Sequence, residues 1–146
     1  MIGASPRILL LDDEPDKAHA LMRWLEPSNI DVVYRSSPDE VIETLKNPVE
    51  RFDVLVLDMM MPGSHGEEDG YDEPDPVESG LRLHRIIRGV LKLHDIPIIF
   101  LSVVRDTNIR NSVRAEEAKY LNKVSFMSKP VLAADLVERI RKVSRS

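Results

Sequence analysis

No cysteine occurs among the 146 residues, so disulfides and thiolate-held metals are both ruled out. Aromatic residues make up only 5% of the chain, and no apolar run approaches the length needed to cross a bilayer. The segment Met1-Ile2-Gly3-Ala4-Ser5-Pro6 lacks the basic region and apolar stretch of a secretory leader. A cytoplasmic address without membrane attachment is therefore expected. Basic charge is not in excess: the formal net charge of −5 argues against direct nucleic-acid binding. Both Gly-x-Gly-x-x-Gly and Gly-x4-Gly-Lys-Ser/Thr are missing, which removes the glycine-loop nucleotide binders.

Four short apolar runs each lead into a chemically capable side chain. Ile8 to Leu11 runs into Asp12 and Asp13, and Val54 to Leu57 into Asp58. Ile98 to Leu101 runs into Ser102, and the weaker run Val124 to Met127 leads to Lys129. Ile30 to Tyr34 is a further strand, rich in β-branched residues. Amphipathic segments alternate with these runs, as in an α/β fold. Ala18, Leu21, Met22 and Leu25 recur at helical spacing after Pro15, and Ser37-Pro38-Asp39-Glu40 is a capping box opening a helix with Val41, Ile42 and Leu45. Leu83, Ile86, Ile87 and Val90 are expected on one helical face. Thr107 to Lys119 is poorly patterned, with Ile109, Val113 and Ala118 as inward candidates, and Leu132, Leu136, Ile140 and Val143 form a final stripe. Trp24 is expected to pack against the sheet. Five βα units without internal repeat predict one doubly wound domain over residues 1–146.

In an open parallel sheet, ligands sit beyond the carboxyl ends of the strands. Three carboxylates, a hydroxyl and an ammonium would then meet at one edge. Unit charges about 4 Å apart repel by roughly 4 kcal/mol at an effective dielectric of 20, so such acids call for a cation. Mg²⁺ takes oxygen ligands and tolerates carboxylates beside water and phosphate. An aspartate can also accept a phosphoryl group as an acyl phosphate, while metal and lysine neutralise the transferred oxygens. Taken singly, Asp12-Asp13 could instead cap a helix, and Asp58 the following turn.

Leu10-Leu11-Asp12-Asp13-Glu14-Pro15, Val56-Leu57-Asp58-Met59-Met60-Met61-Pro62, Phe100-Leu101-Ser102 and Phe126-Met127-Ser128-Lys129-Pro130 together resemble the receiver domain of bacterial two-component response regulators. The resemblance spans about Arg7 to Val143. It implies a flavodoxin-like five-stranded parallel sheet of order 2-1-3-4-5 with five helices. It makes Asp58 the phosphoacceptor, supplied by a histidine kinase or phosphotransfer protein. Asp12, Asp13, Asp58 and the backbone carbonyl of Met60 would hold Mg²⁺. Lys129 would pair with the phosphoryl oxygens, with Lys129-Pro130 cis. Ser102 would be the switch hydroxyl and Phe126 the aromatic switch residue. The output would be a downstream protein partner or a C-terminal effector domain, the chain being expected to act either as a stand-alone receiver or as the N-terminal piece of a longer regulator. The chain would be a signalling module, not an enzyme.

Three features depart from that pattern. Asp58 to Gly80 is about 14 residues longer than expected. Its Gly63–Gly80 portion carries seven acids (Glu67, Glu68, Asp69, Asp72, Glu73, Asp75, Glu78) and no Lys or Arg, so an acidic loop insertion is expected at about 63–79. Val103 and Val104 follow Ser102 where a small residue is common, which predicts poorly positioned water and a long-lived aspartyl phosphate. The basic stretch Arg105 to Lys123 is about five residues longer than usual for that family, either an output surface or a solvated face. Two other readings stay open: a receiver-like module that is never phosphorylated, and a haloacid-dehalogenase-like phosphatase. The phosphatase needs an acid two residues after the nucleophile, where Met60 stands.

Overall fold

A computed structural model describes residues 5–58, 78–102 and 107–144. Five parallel strands, β1 (Arg7–Leu11), β2 (Asp31–Arg35), β3 (Val54–Asp58), β4 (Ile98–Ser102) and β5 (Val124–Ser128), form one sheet in the order β2-β1-β3-β4-β5. The helices are α1 (Pro15–Leu25), α2 (Pro38–Lys46), α3 (Glu78–Arg85), α4 (Thr107–Glu117) and α5 (Ala133–Ser144). This is the flavodoxin-like order expected from the motifs.

Strand side chains alternate between faces, and both faces here are covered. Leu9, Leu11, Leu55, Leu57, Ile98 and Phe100 pack with Val41 of α2, Leu83 of α3 and Val113 of α4. Ile8, Leu10, Val54, Val56, Ile99 and Leu101 pack with Ala18 and Leu25 of α1 and Leu136 and Ile140 of α5. Continuous apolar runs are thus explained by a sheet buried on both sides. At the start of α2, Ser37 Oγ accepts a hydrogen bond from Glu40 N at 3.2 Å. The Glu40 carboxylate reaches one residue further back than a strict capping box would have it, accepting from Ser36 N at 2.9 Å.

Several expectations fail on helix faces. Trp24 is 66% exposed on α1 rather than packed on the sheet. Val90 is 70% exposed, because Ile86–Val90 forms a π-helical turn closed by Leu91 N donating to Ile86 O at 2.9 Å. The wider turn rotates Val90 out, and the buried set becomes Gly80, Leu83, His84, Ile87 and Arg88. On α4, Ala118 is exposed and lies past the helix end, while Glu117 is the buried residue. Leu132 is 68% exposed and precedes α5, giving its carbonyl to Leu136 N at 3.0 Å. α3 already begins at Glu78, inside the stretch read as insertion. Positions 63–77 of that insertion, Met60, Val103 and Val104, and the side chain of Ile109 lie outside the described residues.

Candidate functional site at the carboxyl edge of the sheet

Strand register brings the candidate groups to one edge. Leu11 pairs with Leu57, Asp58 with Leu101, and Ser102 with Ser128. Asp12 therefore follows β1 directly, Asp58 ends β3, Ser102 ends β4, and Lys129 follows β5. Carboxylate oxygens of Asp12, Asp13 and Asp58 all lie within 4.8 Å of one another. Lys129 Nζ donates to Asp58 Oδ1 at 2.8 Å. Its backbone N donates to Ser102 O at 2.7 Å, and the Lys129-Pro130 peptide is cis.

Asp12 and Asp58 are buried, Asp13 half-buried. Asp12 is fixed from three directions. Its N donates to Arg35 O at 3.2 Å, its Oδ1 accepts from Glu14 N at 2.9 Å, and its carbonyl accepts from Tyr34 Oη at 2.7 Å. The Glu14 contact leaves Asp12 part of the capping role read from sequence, because it satisfies an amide just ahead of α1. Burial pushes the Asp12 carboxyl above its ordinary value. The Glu14 N–H and the Lys129 charge oppose that shift, and the charges of Asp13 and Glu14 add to it. Lys17, farther out on α1, pairs with Glu14 at 2.8 Å.

Three carboxylates against the one ammonium bonded to them leave two uncompensated negative charges, the charge of one divalent cation. The donors are hard oxygens at close spacing, so the residues fit Mg²⁺ on chemical grounds. Ser102 Oγ is buried and has no hydrogen-bond partner among the described residues. The Phe126 ring stacks on Phe100 with centroids 5.8 Å apart, and the Arg114 guanidinium sits 4.7 Å from its centroid.

A second polar cluster escaped sequence reading. His84 Nε2 lies 2.6 Å from Glu117 Oε1, and Arg88 Nε and Nη2 donate to the same carboxylate at 3.0 and 2.8 Å. Lys123 N adds a fourth contact at 2.8 Å, and Arg88 Nη1 reaches the carbonyls of Leu93 and Ile96. All three side chains are fully buried. Their signal was Gly80, Leu83, His84, Ile87, Arg88, a stripe at helical spacing with two polar members. The cluster joins α3 to α4 and meets the sheet at Phe100, whose ring is tilted against His84.

No family model matches the chain. It is 29% identical over 143 residues to the transcriptional regulatory protein PrrA of Mycobacterium leprae, covering 97% of this chain and 51% of PrrA. It is 26% identical over 134 residues to protein RcaC of Microchaete diplosiphon, covering 92% of this chain and 17% of that protein. The chain thus spans about half the length of PrrA and about a sixth of that of RcaC. Among solved structures, the receiver domain of the Francisella response regulator 1452 superposes with a TM-score of 0.69 at 23% identity, covering 97% and 98% of the two chains. The chain has the receiver fold. Among the described residues no helix is long and apolar enough to cross a membrane.

Proposed function

We propose that residues 1–146 form a single receiver domain, carrying an acidic insertion at about 63–79, that accepts a phosphoryl group on Asp58. The observation carrying this reading is the Lys129–Asp58 contact of 2.8 Å inside a three-carboxylate edge. Asp12, Asp13 and Asp58, with the Met60 carbonyl, would hold Mg²⁺, which supplies charge neutralisation for the transferred oxygens when bound. The nucleophile is a carboxylate oxygen of Asp58. It attacks the phosphorus of a phosphohistidine, or of a small phosphodonor, and the donor keeps the electrons of the broken bond. Lys129 follows the charge as it moves outward onto the phosphoryl oxygens. Ser102 Oγ, buried and without an internal partner among the described residues, is suited to donate to one of those oxygens. Its inward movement changes the space available to Phe126.

The donor in this reading is a histidine kinase or phosphotransfer protein in the cytoplasm. The output passes to a downstream protein or to an effector domain in a longer chain, as the greater length of PrrA and RcaC allows. Treatment with acetyl phosphate or beryllofluoride and Mg²⁺ tests the proposal. The wild type should form an acyl phosphate and show a Mg²⁺-dependent conformational change, and Asp58→Asn should do neither. Absence of both from the wild type would leave an unphosphorylated interaction module.

A further inference from the structure

Tyr34 ends neither a catalytic motif nor a core stripe, yet its hydroxyl reaches the acid pair. It lies on β2, opposite Leu10 in the β1–β2 register. Its Oη donates to the carbonyl of Asp12 at 2.7 Å. That carbonyl belongs to the peptide joining Asp12 to Asp13, so the hydroxyl sets the tilt of the plane from which the Asp13 side chain leaves. The opposite end of Asp12 is held by Arg35 O and its carboxylate by Glu14 N. Without the tyrosine, the peptide between the two acids would keep no side-chain anchor among these contacts. The ring is steadied in turn by His19 of α1, edge-on at 5.8 Å between centroids.

We infer that Tyr34 is a positioning residue for the cation site, fixing the Asp12–Asp13 peptide so that both carboxylates converge with Asp58. The inference rests on the proposed Mg²⁺-dependent receiver chemistry and adds a residue to it. Pre-set ligands cost less to organise when the cation arrives, so the hydroxyl acts on metal affinity rather than on phosphoryl transfer itself. Asp58 and Lys129 do not touch the phenol in any contact described above, which predicts a separation between the two quantities.

Tyr34→Phe removes one oxygen and keeps the ring. Loss of a single neutral hydrogen bond should weaken Mg²⁺ binding about threefold to tenfold, measured by titration calorimetry. The Mg²⁺ concentration giving half the maximal rate of acetyl-phosphate phosphorylation should rise by the same factor. The rate at saturating Mg²⁺ should stay near the wild-type value, a split that general loosening would not produce. Thermal melting in EDTA verifies that the variant is folded. His19→Ala is the matched control: it loosens the ring but keeps the hydroxyl, so it should cost less Mg²⁺ affinity than Tyr34→Phe. Unchanged Mg²⁺ affinity in Tyr34→Phe overturns the inference, as does an equal loss in His19→Ala. A wild type that binds no Mg²⁺ and takes no phosphate overturns the receiver reading instead.

Discussion

At Glu117, burial pushes the carboxyl's pKa up, while hydrogen bonds from Arg88 and His84, the Arg88 charge and the Lys123 N–H push it down and prevail, holding it below its ordinary value. A depressed folded-state pKa means stability that is full above the ordinary glutamate value of 4.5 and lost as pH falls through the lower folded value. Glu117→Gln leaves Arg88 buried without its counter-charge and should cost about 3–5 kcal/mol in urea unfolding at pH 7. The gap between wild type and variant should narrow as the pH is lowered below that ordinary value. A second residue-scale expectation concerns Lys129, which occupies Asp58 Oδ1 and therefore competes with a cation for it. Lys129→Met should tighten Mg²⁺ binding about fivefold, roughly 1 kcal/mol, while impairing phosphorylation. The two clusters differed in legibility for a physical reason. Asp12, Asp13, Asp58 and Lys129 interrupt apolar runs, and a strand end is visible in one dimension. His84 and Arg88 sit where solvated residues are the rule, and their partner lies 29 positions from Arg88.

Elements were readable where local chemistry decides and misread where backbone geometry shifts the phase. The start of α2 is secure because Ser37 bonds Glu40 N; Ser37→Ala should cost about 1 kcal/mol in chemical denaturation. Leu83 and Ile87 are buried as expected, while Val90 was misplaced because an ordinary helix was assumed through Ile86–Val90, where one wide turn re-aims it. α4 gave a weak pattern because its inward face carries Glu117 in place of an apolar residue. That helix also holds Phe126 through Arg114. Arg114→Ala should release about 0.5–1 kcal/mol of cation–π attraction. Its phosphorylated-like population, followed by the chemical shifts of the Phe126 ring, should rise before any phosphate is added.

The molecule as a whole is a doubly covered sheet, and this was legible because β1, β3 and β4 are apolar on both faces. The residues least readable from sequence, the acidic stretch at 63–77 and the pair Val103–Val104, lie outside the described residues. Since the proposed cation site draws on residues at the ends of β1 and β3 together, it should exist only in the folded chain. Mg²⁺ at about 100 times its dissociation constant should add about 2.7 kcal/mol of stability, seen as a rise in melting temperature that EDTA reverses. Asp58→Asn should shrink that rise.

The bond between Lys129 and Asp58 spans 71 positions of sequence and crosses β4 to reach an edge strand. A chain clipped after α4 would keep its acids and lose both that edge strand and the cation that steadies the nucleophile. Under the proposed function, competence to accept a phosphoryl group would then arise only once β5 and Lys129 have been made. Copies that stop before Lys129 would, in that reading, hold the acids without the ammonium that partners Asp58.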